Sequence, residues 1–506
     1  MNPWEWAVIV GCGAASVPAG LRWLRIAQRE HYLPPAVGRF SARWWTAGYP
    51  NLALAAAAIV AAAAEWSWTG AGIITAVTEG HGPLGLKVRG HTGPLVWTKR
   101  LVRAAITTAV LMAAVLSWSA AAGRAGIAAT GLVVMPVIVD LALAINLPLE
   151  RALSEKWVTA ATARLARVAP RVVAITGSYG KTSTKLYLAH LLEGRARVVA
   201  SPASFNNRLG LARAINERLS PGTEIFIAEM GTYGPGEIAE MCTWIPPDVA
   251  VITAIGPVHL ERMRTEERIL AAKREILAPD ATAVIGVDHP GLERLADSES
   301  RAGRRVISCS GGGRRGEVAV DPGTGEVTVK GSPIGEVDLH AHHPMNVAAA
   351  VGAVLALGMD PNETATRLDT LPSPDHRLAT VVNDQGITVI DDTFNANPEG
   401  ARAALRRLVE NSSPGGKRVV VTPGLVEMGS RRRVENRALG EAAAGAGTHL
   451  LVGGRTNRRA LLEGARKGQA AVLVLDNRMQ AVRWARANLD RGDTILYEND
   501  LPDHYP

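Results

Sequence analysis

Residues 171–185 read Arg-Val-Val-Ala-Ile-Thr-Gly-Ser-Tyr-Gly-Lys-Thr-Ser-Thr-Lys, and no other stretch constrains the fold as strongly. The apolar run 172–175 predicts a short buried strand. Gly177 and Gly180 then mark a tight turn, and Lys181-Thr182 opens a segment with helical spacing over 186–192. Strand, glycine turn, Lys-Thr and helix in that order is the arrangement of a phosphate-binding loop. Backbone N–H groups and the positive end of a helix face one anion there. Gly177, Ser178, Tyr179, Gly180, Lys181, Thr182 and Ser183 are therefore the candidate nucleotide cradle. Lys181 would reach the β/γ-phosphates, and the Thr182 hydroxyl would sit on Mg²⁺. The general pattern places a glycine at position 175, where Ile175 stands, so a generic signalling NTPase is the poorer reading. An ordinary glycine turn would leave the Lys-Thr and the helix behind it unexplained.

At 506 residues the chain is long enough for two or three domains. It carries 55 Lys and Arg against 47 Asp and Glu. The excess is concentrated early, at Arg22, Arg25, Arg29, Arg39, Arg43, Lys87, Arg89, Lys99, Arg100 and Arg103. A basic, Trp-bearing segment between apolar stretches suggests a membrane face and membrane lipid, with no nucleic-acid partner. Cys12, Cys242 and Cys309 lack C-x-x-C spacing, so neither a disulfide framework nor a zinc site is implied, which fits a reducing compartment.

Apolar runs at 6–21, 52–64, 104–122 and 127–147 predict a membrane region of three or four helices over residues 1–150. Asp140 lies within the last run and is expected to face a neighbouring helix. Arginines in both long connections place those connections on the cytoplasmic side. Residues 151–170 read as a polar linker helix. Beyond it, β and α signals alternate, predicting an α/β fold with a phosphate-loop domain over 171–370 and a second α/β domain over 371–506. Strands are expected at 224–228, 249–253 and 281–287, with hairpins over 303–340. After the Pro-Ser-Pro joint at 372–374, further strands are expected at 387–390, 418–422, 449–452, 471–475 and 494–497.

Glu229 ends one expected strand and His259 follows another, where ligands sit in open α/β sheets. Singly, each reads as a loop acid or a surface histidine, and Lys273 as a solvated helix lysine. Their order is more specific. Thr-Gly-x-x-Gly-Lys-Thr is followed by Phe205-Asn206-Asn207-Arg208-Leu209-Gly210, then Glu229-Met230-Gly231, Ile255-Gly256-Pro257-x-His259-Leu260-Glu261 and Ala272-Lys273-x-Glu275-Ile276. Downstream come His342-His343-Pro344-Met345-Asn346, Asp375-His376-Arg377, Asp391-Asp392-Thr393-Phe394-Asn395-Ala396-Asn397-Pro398 and Thr422-Pro423-Gly424-Leu425-Val426-Glu427-Met428-Gly429. This series, over roughly residues 165–500, resembles the Mur ligases, and among them the D-alanyl-D-alanine-adding, MurF-type members. The resemblance implies a central ATP-binding domain and a C-terminal Rossmann-like domain.

It also implies a chemistry. Such ligases phosphorylate a substrate carboxylate with ATP to an acyl phosphate, which an amine attacks to form an amide. By the resemblance, Lys181, His259 and Lys273 are catalytic. Thr182, Glu229, His259 and Lys273 hold Mg²⁺ at two sites, with Lys273 carried as a carbamate. Asn346, Arg377 and Asp392 contact the nucleotide, and Asn206, Asn207, Asn395 and Asn397 the substrate.

Two departures bear on the substrate. A membrane region stands where these ligases begin with a nucleotide-sugar domain. Leu496-Tyr497-Glu498-Asn499-Asp500-Leu501-Pro502-Asp503 stands in place of their Lys-Gly-Ser, an acidic end either selecting a cationic or amine-bearing acceptor or forming a solvated tail. The expected function is a multi-pass membrane ligase with cytoplasmic catalytic domains, joining a cell-envelope carboxylate precursor, lipid-linked in form, to an amine acceptor. A ligase making another peptide-like polymer of poly-glutamate type, and a membrane-bound P-loop ATPase that makes no bond, are the alternatives.

Overall fold

The computed structural model describes residues 1–88, 95–339, 341–372, 378–393, 397–476, 478–501 and 505–506. They form two compact units, one of Met1–Leu153, Gly454–Thr456 and Leu501–Pro506, the other of Ser154–Gly453 and Asn457–Asp500.

The first unit is helical: α1 (Pro3–Arg29), α2 (Ala36–Trp45), α3 (Tyr49–Ala64), α4 (Gly72–His81), α5 (Lys99–Ala121), α6 (Ala125–Val133) and the start of α7 (Met135–Val168). α1 and α5 are each long and apolar enough to cross a membrane; counting the bent pairs α2–α3 and α6–α7 as spans raises the number from 2 to 4. The single span expected at 127–147 is instead broken between α6 and α7, with a bend of 73°. Pro136 lies in the first turn of α7, where a missing N–H is tolerated but continuation of the preceding helix is not. α7 then runs through Val168, so the expected linker helix is the end of this same helix. It stops before Pro170, which disfavours α backbone at Ala169, where φ is +49°.

Charged side chains inside this unit end its helices. Asp140 does face a neighbour: it accepts the N–H groups of Val37 and Gly38, at 3.1 and 2.7 Å, in the first turn of α2. Glu65 accepts from Gly70 and Gly72 at 2.8 and 2.7 Å where α4 starts. Arg22 donates to the Glu79 and Gly80 carbonyls, at 2.5 and 3.0 Å, where α4 ends. Each satisfies backbone groups that a helix terminus leaves without an internal partner. Exposed Trp4, Trp66 and Trp118 mark the start of α1 and the ends of α3 and α5. At the other end Arg103 forms a two-pronged pair with Glu150 at 2.6 and 2.8 Å.

The second unit holds two sheets. The first is built from β1 (Arg171–Thr176), α8 (Lys181–Leu191), β2 (Val198–Ala200), α9 (Arg208–Arg218), β3 (Ile225–Glu229), α10 (Glu237–Trp244), β4 (Val249–Ile252), α11 (Leu260–Met263), α12 (Glu266–Arg274), β5 (Thr282–Gly286), α13 (Pro290–Arg301) and β6 (Val306–Ser310). The hairpins β7 (Val318–Val320), β8 (Glu326–Val329) and β9 (Ser332–Glu336) and helix α14 (Pro344–Ala356) complete it. Strand order is β2-β3-β1-β4-β5-β6-β7-β8-β9, parallel except for the hairpins.

The second sheet comprises β10 (Ala379–Val382), β11 (Thr388–Asp392), α15 (Pro398–Glu410), β12 (Arg418–Thr422), α16 (Arg432–Ala446), β13 (His449–Val452), α17 (Arg458–Ala465), β14 (Ala471–Val474), α18 (Arg478–Asn488) and β15 (Thr494–Glu498). Its order is β10-β11-β15-β12-β13-β14, with only β10 antiparallel. β2 and β10, both at sheet edges, are the strands that the hydrophobic pattern does not announce.

Period-two alternation explains the layers. Val172 and Ala174 of β1 pack with α9 and with Val158, Ala161 and Leu165 of α7. Val173 and Ile175 face α8 and the apolar α14. Phe226, fully buried on β3, belongs to the first of these clusters. Phe226→Ala should therefore destabilise the catalytic unit by about 3–5 kcal/mol, seen as a lower midpoint in thermal or denaturant unfolding followed by tryptophan fluorescence.

Candidate active site

β1 pairs with β3 on one side and β4 on the other, so the chain leaves its carboxyl end at a topological switch. The register sets Ile175 beside Glu229 and Thr176 beside Ile252. The loop after β1 is thus walled by the ends of both neighbours. Gly177 and Gly180 have φ of 150° and 78°. A Cβ at Gly177 would stand 2.0 Å from Thr253 Oγ1, and one at Gly180 would stand 2.0 Å from Asn346 Oδ1. Only glycine fits either place.

Ser178 N–H donates to the Ala254 carbonyl at 2.7 Å, and the Ser178 hydroxyl to that of Gly256 at 3.2 Å. The Thr253 hydroxyl donates to the Tyr179 carbonyl. Lys181 Nζ bends back to the Gly177 carbonyl at 2.7 Å. Gly180 caps α8 without any side chain, which leaves the first amides of α8 for an outside acceptor. This cradle suits the phosphates of a nucleotide.

Glu229 is buried at the end of β3. Its Oε2 accepts from Lys185 Nζ at 2.8 Å and from Thr182 Oγ1 at 3.1 Å, and its Oε1 from Asn206 Nδ2 at 3.2 Å. Burial acts to raise the carboxyl, but the Lys185 and then the Lys181 ammonium outweigh it and hold Glu229 below the usual glutamate range. Lys273, on α12, is also buried. Burial first, and Lys181 next, lower its ammonium well below the usual lysine value, against the pull of Glu237, Glu275 and Glu229.

His259 lies past the end of β4. It has φ of 57°, its Nδ1 contacts Glu427 Oε2, and its ring meets Tyr233 edge-on at 5.7 Å between centroids. Glu427 comes from the loop after β12, and a carboxylate is a strong partner for an imidazole N–H. Among the described residues no three His, Cys, Asp or Glu side chains gather as a metal cluster. Thr182 and Glu229 do meet, and such a pair suits Mg²⁺ bound together with substrate phosphates.

A cavity of about 270 Å³ opens beside the loop. Tyr179, Gly180, Ser183, Asp288, His343 and Asn346 line it from the first sheet's side, and Leu378, Asp392, Asn397 and Glu399 from the second's. Asp392 is buried and accepts the Leu378 N–H at 3.2 Å. Asn397 also caps α15, accepting from Gly400 N–H at 2.8 Å. Asn207 has a capping role as well, accepting from Gly210 N–H at 3.0 Å where α9 starts. Arg377 and Asn395 lie outside the described residues. At the chain's acidic end, Glu498 is no solvated tail: it is fully buried under the Thr422 hydroxyl, and burial pushes its carboxyl up to about 8 against that hydrogen bond.

Lys185, Thr253, Asp288, Glu399 and Glu427 join the site without having been singled out from the sequence. Lys185 had a usable signal, since it lies three residues after Thr182 and so on the same helix face. Glu427 stood in the motif at 422–429, but nothing in the sequence paired it with His259, 168 residues away.

Comparison with known proteins gives this geometry its context. Residues 175–354 match the Mur ligase middle domain, and residues 376–497 match the Mur ligase, glutamate ligase domain. The UDP-N-acetylmuramoyl-tripeptide–D-alanyl-D-alanine ligase of Mycobacterium leprae is 31% identical over 380 residues, which cover 67% of this chain and 73% of that protein. The enzyme of the same name from Bacillus subtilis is 30% identical over 295 residues, covering 55% and 62%. The crystal structure of MurF ligase from Thermotoga maritima in complex with ADP is similar with a TM-score of 0.57 at 25% identity, covering 69% of this chain and 80% of that one. The chain belongs to the Mur ligase family, whose members use ATP to form a C–N bond between a carboxylate and an amine.

Proposed function

We propose that this is a membrane-anchored ligase of the MurF type, joining the carboxylate of a muramoyl-peptide cell-wall precursor to D-alanyl-D-alanine or a closely related amine. The Thr182–Glu229–Asn206 contact beside the glycine cradle carries this reading, because it sets a cation site against a phosphate site. The relatives named for that reaction support the substrate class.

A carboxylate is a poor electrophile, and ATP supplies the leaving group by making it an acyl phosphate. The chain's own residues bind, orient and neutralise. Lys181 and the α8 amides take the phosphate charge. Thr182 and Glu229 would hold one Mg²⁺, and Asn206 orients Glu229. Lys273 and His259 would serve a second. The depressed Lys273 ammonium favours the neutral amine that reacts with CO₂, and the resulting carbamate turns a cation into an anion at a cation site. Asn346 and Asp392 line the nucleotide cavity, and closure of its two walls would keep water from hydrolysing the activated carboxylate.

In the helical unit, exposed Val10, Val17, Ile59, Ile106, Val110 and Leu141 are the lipid-facing surface of this proposal. The end with Trp4, Trp66 and Trp118 lies away from the cytoplasm. The end with Arg29, Arg39, Arg43, Lys99, Arg100 and Arg103 lies at the cytoplasmic leaflet, where anionic lipid attracts it. The carboxylate substrate is accordingly lipid-linked, since enzyme and substrate in one surface meet at raised effective concentration.

Lys181→Ala is expected to cut ATP turnover by about 10²–10³-fold while leaving the unfolding midpoint unchanged. Near-normal turnover by the folded variant would remove the phosphate-loop assignment. Lys273→Ala is expected to lose about 10²-fold or more, with short carboxylic acids restoring part of the rate by supplying the missing anion. An unimpaired variant would make Lys273 a bystander. Substrate class is read from ADP release that requires both a carboxylate and an amine. The full chain in lipid should release ADP faster with a lipid-linked precursor than with a free uridine-nucleotide precursor. A fragment beginning at Ser154, which keeps the end of α7 that packs on the catalytic core, should lose that preference. Equal use of both precursors by the full chain would refute the lipid-linked substrate.

A further inference from the structure

Lys185 plays no part in the chemistry described so far, yet it is the closest cation to the carboxylate proposed to hold Mg²⁺. It lies on the Thr182 face of α8, with its side chain 2% exposed against 4% for Glu229. Its Nζ is 2.8 Å from Glu229 Oε2, the same oxygen that accepts from the Thr182 hydroxyl. The other oxygen is taken by Asn206. Both oxygens of Glu229 are therefore engaged, and the one aimed at Thr182 is paired with a full positive charge. Lys181 adds a second cation nearby, folded on the Gly177 carbonyl. Among the described residues no second His, Cys, Asp or Glu joins Glu229 in a metal-binding group of three.

We propose that Lys185 is a positioning residue that aims Glu229 at Thr182 and cancels its charge, so that the divalent cation is admitted only together with a phosphate-bearing nucleotide. This rests on the reading of Thr182 and Glu229 as the Mg²⁺ pair. A neutralised carboxylate and one hydroxyl offer a dication little on their own, because Mg²⁺ gives up water reluctantly. Phosphates laid on the α8 amides bring the missing negative charge. The device also keeps Glu229 from being pulled out of its geometry by free metal before the nucleotide arrives.

The test uses the full chain purified in detergent, with Mn²⁺ as the probe and its free concentration followed by electron paramagnetic resonance. Wild type should bind Mn²⁺ in the presence of ADP and show no matching site without it. Lys185→Met should bind Mn²⁺ without nucleotide at least about tenfold more tightly than wild type, since a close unit charge has been removed. Lys185→Arg should restore the need for nucleotide. Lys185→Met combined with Glu229→Gln should lose the new site, which locates it at Glu229. Tight nucleotide-free binding by wild type would overturn the proposal whether or not Lys185→Met folds. So would a folded Lys185→Met that binds no better than wild type, because a purely structural lysine predicts that result. Wild type that binds no Mn²⁺ even with ADP would remove the cation site itself, and this inference with it.

Discussion

Glu229 reaches the end of β3 with Lys185 at 2.8 Å and Thr182 at 3.1 Å from the same carboxylate oxygen. Burying a carboxylate this deeply is unfavourable unless a partner and further hydrogen bonds compensate. The partner comes from α8, which starts at the glycine turn, and a further hydrogen bond from Asn206, just ahead of α9. One buried charge thereby ties β3, the loop after β1 and the start of α9 into a single geometry. Removing one member of such a pair commonly costs about 3–5 kcal/mol, because the other charge is left stranded. The nucleotide end of the sheet is tied together by these contacts before any phosphate enters.

The cavity needs both sheets. Tyr179, Gly180 and Asn346 form one wall and Asp392, Asn397 and Glu399 the other. His343 and Glu399 meet across it at 3.6 Å. Further out, Arg431 from the loop after β12 reaches Glu266 on α12 at 2.7 Å, and Glu427 takes His259. A cavity shared between two domains suits a reaction in which an activated carboxylate must be kept from water.

The helical unit solves a different problem. Asp140, Glu65 and Arg22 would each be expensive in an apolar bundle, and each is placed on the open end of a neighbouring helix. The short α4 and the bent α2–α3 pair are thereby supplied with partners for backbone groups that their termini leave without one.

The sequence by itself determined most of the strands, though not the edge strands β2 and β10, and where the phosphate loop would lie. The expected strands at 418–422 and 449–452 coincide with β12 and β13, and the others fall within two residues. Local signals suffice there, because apolar runs and glycine turns act over a few residues. Ordered motifs also carried the family. What the tertiary structure decided were the partnerships. Asn206 and Asn207 are neighbours in sequence, yet one holds Glu229 and the other caps α9. His259 meets Glu427 rather than a carboxylate of its own domain. Glu498 looked like the start of an acidic tail and is fully buried beside Thr422. For Asn206, His259 and Glu498 the deciding contact joins side chains far apart in the chain, which no local pattern encodes.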